Sequence, residues 1–276
     1  MHVKREFNKL LLYIFALMGV TISIFPFYWI FTATTLTESQ IFKVPPTFAP
    51  GGNFINNLTK LTDQWEIWRA LINSLLVSGI TTVTTIFFSA LAGYAFAKYR
   101  FKGRDPLFYT VLLMMMVPTQ VMLVPMFIIM MNFNWIDSYY ALTIPYLVTP
   151  MGVFLMRQQM LAFPDDLIEA ARIDGCRDFG IFFRIVLPVM KPACAALGII
   201  TFMHQWGNFI WPLVVVSSKE MYTLPLMLSM MVQPGQVVHY GQVMVAASIG
   251  LLPMLILFLF FQKHFVSGVF SGSVKG

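Results

Sequence analysis

The chain has 276 residues, of which 58% are hydrophobic and 11% are charged, and its formal net charge is +6 at pH 7. Because a soluble domain is typically about 25% charged, this composition excludes an ordinary water-soluble protein. The two cysteines are too few for a disulfide framework, and in so apolar a chain a basic excess is more typical of cytoplasmic loops than of nucleic-acid binding.

Six apolar segments are long enough to cross a bilayer, which takes about 20 residues of helix. They lie near residues 10–32, 70–97, 107–131, 141–160, 193–216 and 242–262. The first follows HVKREFNK and continues without a convincing small-x-small cleavage site, which predicts a retained anchor. The sequence therefore predicts an all-α membrane protein with a single transmembrane domain over residues 1–276.

The basic residues indicate the orientation of these spans. Six spans place both termini on one side, and fourteen Lys and Arg residues lie in the termini and in the loops after spans 2 and 4. The other side carries four, namely Lys43, Lys60, Arg69 and Lys219. By the positive-inside rule, both termini are cytoplasmic and residues 33–69 form an external loop.

Prolines and polar residues interrupt the middle spans. Pro118 and Pro125 flank Gln120 in span 3, and Pro145 and Pro150 interrupt span 4. Broken helices are tolerated at membrane depth where protein or a water-filled cavity satisfies the backbone.

Span 5 carries the sequence HQWGN, with His204, Gln205 and Asn208 on one predicted arc. Polar groups at membrane depth are candidates for a substrate path, and the aromatic faces of Trp206 and Trp211 could stack on sugar rings. The alternative is that these side chains join helices by hydrogen bonds. The candidate path residues are Gln120, His204, Gln205, Trp206, Asn208 and Trp211.

The cytoplasmic loop over residues 161–191 is the most charged part of the chain. Its sequence FPDDLIEAARIDG predicts a short helix, because Pro164 and two acidic residues suit a helix start and Gly175 suits a left-handed stop. The 3.6-residue period places Leu167, Ala170, Ala171 and Asp174 on one face. Glu169 and Arg172 are spaced to pair at i, i+3.

A second amphipathic segment comes after this helix. Phe179, Phe182, Phe183 and Val186 share a predicted face, which fits a helix at the inner membrane interface that ends near Pro188. A helix of about ten residues is marginal alone, so the first helix is expected to dock. Its partner is either the protein's own transmembrane helices or another protein.

The loop resembles the EAA signature of permease subunits in ATP-binding-cassette importers. Glu169-Ala170-Ala171 is followed at the signature's spacing by Gly175 and by the sequence IVLP at residues 185–188. In that family the loop is a coupling helix that sits in a cleft of the ATPase subunit. The resemblance implies a six-span, MetI-like fold with these coupling residues: Glu169, Ala170, Ala171, Asp174, Gly175, Leu187 and Pro188.

The resemblance covers most of the chain and is nearest to carbohydrate permeases of the maltose second-subunit type, including those for arabinose oligomers and multiple sugars. It includes KYRFKGRDPLF, the stretch over residues 206–228 and the tail FVSGVFSGSVKG. Two positions depart from the pattern. Gly207 follows Trp206, so that Asn208 comes one place late, and Ser271 and Ser273 alter the tail. Both departures leave the substrate open.

The resemblance also implies partners: a second related permease, an ATPase dimer, an extracytoplasmic solute-binding protein and the bilayer of the bacterial cytoplasmic membrane. The chain has no Gly-Lys dipeptide and therefore no Walker-type phosphate loop. ATP and magnesium are accordingly expected in the partner ATPase, with no cofactor, metal or catalytic residue in this chain.

Two alternatives have different consequences. A sugar phosphate such as glycerol 3-phosphate could be the cargo, although no cluster of Arg or Lys within the spans would hold a phosphate. A membrane-embedded enzyme could use His204 or the Asp165–Asp166 pair, although paired carboxylates at a helix start are more typical of a solvated cap.

Overall fold

The computed structural model describes residues 2–235 and 237–271, with side chains over 8–235 and 237–261. All regular secondary structure in these ranges is helical, as the sequence predicts. Ser273 and the end of the predicted tail lie outside the described residues. The helices are α1 (His2–Ala33), α2 (Glu38–Ile41), α3 (Phe54–Gln64), α4 (Ile67–Lys98), α5 (Arg104–Met115), α6 (Leu123–Asn132), α7 (Tyr139–Thr143), α8 (Pro150–Leu161), α9 (Asp165–Ile173), α10 (Asp178–Ile181), α11 (Leu187–Val189), α12 (Lys191–Trp206), α13 (Ile210–Val215), α14 (Leu224–Met231) and α15 (Tyr240–Ser271).

The chain divides into two compact units. Of the described residues, one unit contains 2–67, 227–235 and 237–253, and the other contains 68–226 and 254–271. The single domain over residues 1–276 stays a prediction.

Four helical stretches in the described residues are long and apolar enough to cross a membrane. They are Asn8–Ala33, Ile67–Lys98, Tyr139–Leu161 and Tyr240–Phe261, and they match predicted spans 1, 2, 4 and 6. A fifth candidate consists of two helical stretches, Asp178–Val189 and Lys191–Trp206, that meet at a bend of 77°.

Spans 3 and 5 are broken where the sequence places helix-breaking residues. Span 3 forms two separate helices, α5 and α6, because Pro118 lies in the irregular segment between them. Pro125 instead lies in the first turn of α6, where its missing N–H costs nothing. Span 5, predicted over 193–216, ends as α12 at Trp206 and resumes as α13 beyond Gly207. A count of six membrane spans stays a prediction.

In the first unit, a buried amide fixes the segment after α1, which is predicted to be external. The Asn57 side chain is 7% exposed, and its Nδ2 donates to the backbone carbonyls of Thr34 and Leu36 at 2.9 and 3.0 Å. A buried polar group needs such partners. Because this amide is already bonded, the Asn57-Leu58-Thr59 sequence is a chance match to the glycosylation sequon.

In the second unit, the charged loop shares one hydrophobic core with spans 2 and 4. Side chains of α4 and α8 meet those of α9, α10 and the π-helical turn at Phe182–Val186. The buried members are Ala90, Tyr94, Met156, Met160, Phe163, Ile168, Ala171, Ile181, Phe182, Val186, Met190 and Leu197. The loop is therefore packed on the protein's own helices along one side.

Candidate functional site

Helix α9 begins and ends where the sequence predicts. Pro164 precedes it with φ −63°, and Asp165 and Asp166 occupy its first turn, where carboxylates interact favourably with the helix dipole. Gly175 comes after it with φ +81°, a left-handed conformation that glycine adopts without strain. The predicted helix with its stop at Gly175 is confirmed.

The buried face of α9 differs from the predicted one. Ile168 and Ala171 are buried, whereas Leu167, Ala170 and Asp174 are exposed. The buried side of the helix is therefore not the face of Leu167, Ala170, Ala171 and Asp174, of which only Ala171 is buried. The helix buries only the narrow stripe of Ile168 and Ala171, because these two residues join the core formed with α4 and α8.

The opposite face of α9 is open. Glu169 and Ala170 are exposed, and Ile173 is 86% exposed. A nine-residue helix with one buried stripe and one exposed apolar and acidic face has a surface free to meet a partner. Of the predicted coupling residues on α9, Ala171 is part of the internal packing, and Glu169 and Ala170 lie outside it.

Arg172 pairs with a residue that the sequence did not predict. Its Nη2 lies 3.2 Å from Oδ1 of Asp178, not beside Glu169, because the turn at Gly175 brings the start of α10 back to the end of α9. Its guanidinium lies 5.8 Å from the ring centroid of Tyr99. Burial and then the hydrogen bond with Asp178 raise the pKa of Tyr99, so the phenol stays protonated at neutral pH.

The second amphipathic segment changes its helical phase at a π turn. Phe182 and Val186 are buried, whereas Phe179 is 73% and Phe183 is 43% exposed, so the four residues of the predicted face do not have one common environment. The π turn over residues 182–186 adds a residue to the helical turn and rotates the later part of the segment. Pro188 favours this break, because it has no N–H for the carbonyl four residues earlier.

Leu187 and Pro188 form the short helix α11 with Val189. Leu187 is half-buried beside the core and Pro188 is exposed. They lie at the junction between the charged loop and α12, where the helical axis bends by 77°. Their contribution to coupling stays a prediction.

Two of the candidate path residues, Trp211 and Gln205, contact backbone carbonyls beside the interruption of span 4. Pro145 lacks the N–H that would otherwise bond the Ala141 carbonyl, and Trp211 Nε1 donates to that carbonyl at 2.8 Å. Gln205 Nε2 lies 3.5 Å from the next carbonyl, that of Leu142. Trp211 is 1% and Gln205 is 5% exposed, so both side chains join α12 and α13 to α7.

The other path candidates lie in different surroundings. His204 and Gln120 are exposed, and Gln120 lies in the break between α5 and α6. Asn208 is half-buried and its Nδ2 lies 3.3 Å from Oη of Tyr146. Trp206 is buried and stacks on a neighbouring ring. Because α12 ends at Trp206, the structure does not bring His204, Gln205 and Asn208 together on one helical arc.

A pair of substitutions separates a path role from a packing role. Asn208→Ala should weaken uptake with little change in melting temperature, since one hydrogen bond contributes about 0.5–1.5 kcal/mol. Trp211→Phe keeps an aromatic ring and removes the Nε1 donor to the Ala141 carbonyl, so it should lower the melting temperature. Uptake and thermal unfolding measured on both variants decide the point, and a destabilised Asn208→Ala variant with normal uptake would exclude the path role.

Sequence reasoning missed one residue that contacts the start of α9, and it treated another polar residue of span 2 only as packing. Lys98, the last residue of α4, reaches the start of α9. At the other end of α4, Asn73 is 1% exposed and bonds the backbone carbonyls of Glu220 and Tyr222. The available signal was a lysine or an asparagine near the end of an apolar span, a position where a polar side chain can reach backbone groups of a neighbouring segment.

These helices and their loop match a known family. The model of the family described as "Binding-protein-dependent transport system inner membrane component" matches residues 85–271, which is more than half of the chain and includes α9. The chain belongs to this family. The resemblance carried by the EAA signature is thereby confirmed, and the family is one of membrane transport components.

Relatives match this family member over nearly its whole length. It is 40% identical to the arabinooligosaccharides transport system permease protein AraQ of Bacillus subtilis (strain 168), over 97% of this chain and 96% of that one. It is 33% identical to the lactose transport system permease protein LacG of Rhizobium radiobacter, over 99% and 98%. The sn-glycerol-3-phosphate transport system permease protein UgpE of Yersinia pestis is 34% identical, over 93% and 94%.

The fold of this family member also matches a solved structure. A chain of a bacterial ABC transporter involved in the import of the acidic polysaccharide alginate superposes with a TM-score of 0.83, over 96% of this chain and 97% of that one. At 20% sequence identity, this likeness concerns the fold alone. It confirms the all-α importer-permease architecture.

Proposed function

We propose that this chain is a permease subunit of an ATP-binding-cassette importer that carries a sugar or oligosaccharide across the bacterial cytoplasmic membrane. The observation that carries the proposal is the exposed face of α9, an EAA-type helix anchored by its other face in the core of the spans. The sugars named in the relatives support the class of cargo. The partners are a second permease, an ATPase dimer and a solute-binding protein.

The proposed orientation places both termini and the loop over residues 161–191 in the cytoplasm. Fourteen of the eighteen basic residues lie on this side, and the positive-inside rule assigns that side to the cytoplasm. Helix α9 then faces the compartment that contains ATP.

This chain and the partner ATPase have separate roles. ATP and magnesium are held by the partner ATPase, which supplies the energy when it closes. Helix α9 receives that movement on its exposed face, and its buried stripe transmits it to the core through Ile168 and Ala171. The broken helices of spans 3, 4 and 5 supply the irregular backbone that lines cavities in membrane transporters.

A sugar phosphate is the second candidate cargo, because a glycerol-3-phosphate permease is among the relatives. An anionic cargo calls for cations in the path, and the nearest candidate is Arg157, counted above with the cytoplasmic loop but lying at the end of predicted span 4. Its Nε lies 3.4 Å from the Phe96 carbonyl and its guanidinium stacks 3.9 Å from the Phe108 ring centroid. That cation is engaged in joining α8 to α4 and α5, which favours a neutral sugar.

The test is ATP hydrolysis by the complex reconstituted in liposomes with the second permease, the ATPase and the binding protein from the same genomic neighbourhood. An arabino-oligosaccharide or another neutral oligosaccharide should raise hydrolysis several-fold above the rate with unliganded binding protein. Glycerol 3-phosphate should leave the rate unchanged. Stimulation by glycerol 3-phosphate alone would mean that the cargo is a sugar phosphate and not a neutral sugar. If no sugar of a broad panel stimulates hydrolysis, the proposal is contradicted.

A further inference from the structure

The start of helix α9 is tied to the end of span 2 by a buried lysine. Lys98 is the last residue of α4, and its side chain is 5% exposed. Its Nζ donates to the backbone carbonyl of Phe163 at 2.6 Å and to Oδ1 of Asp165 at 2.6 Å. A buried ammonium group is costly without such partners. The Lys98 side chain therefore stays bonded to Asp165, the first residue of α9, and to Phe163, which precedes Pro164.

Tyr99, the residue after Lys98, contacts the other end of helix α9. Arg172, in the last turn of α9, lies with its guanidinium 5.8 Å from the Tyr99 ring centroid. Tyr99 packs edge-on against Tyr94 of α4 at 5.5 Å, and Tyr94 in turn lies 5.3 Å from Phe182. Two consecutive residues at the cytoplasmic end of α4 therefore contact both ends of α9.

These contacts are not dictated by chain connectivity. Along the chain α9 is joined to α8 and α10, whereas Lys98 and Asp165 are separated by 67 positions. Without the contacts, a displacement of α9 would act first on α8 and α10. With them, the same displacement acts directly on α4, which is 32 residues long and runs from Ile67 to Lys98.

We propose that Lys98 and Tyr99 are positioning residues that fix α9 to the cytoplasmic end of α4, so that the two helices move as one body when the ATPase acts on α9. This inference rests on the proposed function, because it takes α9 as the surface that the ATPase contacts. It adds that α4 is the span moved by the ATPase and that Lys98 and Tyr99 connect this span to α9.

The first experiment compares three variants in the reconstituted complex. Lys98→Met keeps the aliphatic stem and removes both hydrogen bonds, Lys98→Arg keeps a cationic donor, and Lys102→Met removes an exposed lysine from the same basic segment. Lys98→Met should lower substrate-stimulated hydrolysis several-fold and leave basal hydrolysis unchanged. Lys98→Arg should restore most of the stimulation, and Lys102→Met should match the wild type.

A merely structural role predicts a different pattern for Lys98→Met. Complex yield and melting temperature would then fall, and basal and stimulated hydrolysis would fall by the same factor. That pattern, or wild-type stimulation in Lys98→Met, overturns the proposal.

A second experiment applies even where Lys98→Met fails to assemble. Cys176 is exposed just after α9, and its backbone N–H bonds the Ala171 carbonyl of that helix at 2.9 Å. Spin labels on Cys176 and on Arg100→Cys, in a Cys194→Ser background, report the distance between α9 and the end of α4. One narrow distance, unchanged by ATP, is expected, and a shift or broadening on ATP binding overturns the proposal.

The two experiments also keep this inference apart from the proposed function. Absence of sugar stimulation in the wild-type complex would contradict the sugar-importer function. The label distance would still show whether α4 and α9 move together.

Discussion

Replacing Gly93 with valine should prevent normal assembly of this permease. A Cβ atom at Gly93 would lie 2.7 Å from Cβ of Met156, 2.8 Å from the backbone N of Arg157 and 2.9 Å from the carbonyl carbon of Met156. Two of these atoms are backbone, so no side-chain rotation relieves the contact and α4 must separate from α8. Overpacking of this kind typically costs about 1–3 kcal/mol or more. The measurement is the yield and melting temperature of the detergent-solubilised complex.

Gly79→Val is the matched control, because it is the same substitution in the same helix. Apart from the backbone of its own helix nearby, no heavy atom of the described residues lies within 4 Å of a Cβ built at Gly79, and valine has a better helix propensity than glycine. Gly79→Val should therefore retain the wild-type melting temperature. Equal losses in both variants would mean that the substitution acts through α4 itself and that the close approach to Met156 is unimportant.

The helices and their interruptions could be predicted from the sequence because they depend on local chemistry. Pro118 and Pro145 break helices for reasons that operate within a few residues, and each lies in or beside a break in the structure. Gly175 could be placed at the end of α9 for the same reason, since a left-handed residue there favours glycine. The break at Gly207 was not predicted, since span 5 was expected to run unbroken over residues 193–216.

The faces of α9 could not be predicted in the same way. Periodicity indicates which residues share a face, but not which face meets a neighbour. Ala171 is buried and Ala170 is exposed because α9 packs on α4 and α8, and α4 is distant in sequence. The partner of Arg172 depends on the turn at Gly175, whose geometry brings Asp178 closer than the i−3 residue Glu169.

The roles of the polar residues of span 5 could not be predicted from the sequence either. A hydrogen-bond donor in a span can line a water-filled path, or it can bond a backbone carbonyl that has lost its helical partner. Pro145 was predicted to interrupt span 4, and its missing N–H leaves the Ala141 carbonyl without a helical partner. That Trp211 supplies the donor depends on the packing of α13 against α7, which the sequence does not encode locally.

Reversing the charge of Glu169 should uncouple transport from ATP hydrolysis without unfolding the protein. Glu169 is exposed on the open face of α9, so Glu169→Lys costs no internal packing. If it meets a basic or N–H group of the ATPase, loss of that charged hydrogen bond costs about 1.5–3 kcal/mol, or roughly ten- to a hundredfold in docking affinity. Substrate-stimulated ATP hydrolysis should fall by at least the lower of these factors, with an unchanged melting temperature.

Glu220→Lys is the control for this change and also tests the orientation of the chain. Glu220 is exposed and lies in the segment between spans 5 and 6, on the face opposite α9 in the proposed topology. The same charge reversal there cannot reach a cytoplasmic ATPase, so ATP hydrolysis by the detergent-solubilised complex without binding protein should match the wild type. Loss of this hydrolysis in Glu220→Lys, with normal substrate stimulation in Glu169→Lys, would mean that the chain is inserted the other way round. Normal coupling in both would mean that α9 docks through its apolar residues, chiefly Ile173, and that the acidic position of the EAA signature contributes nothing to contact with the ATPase.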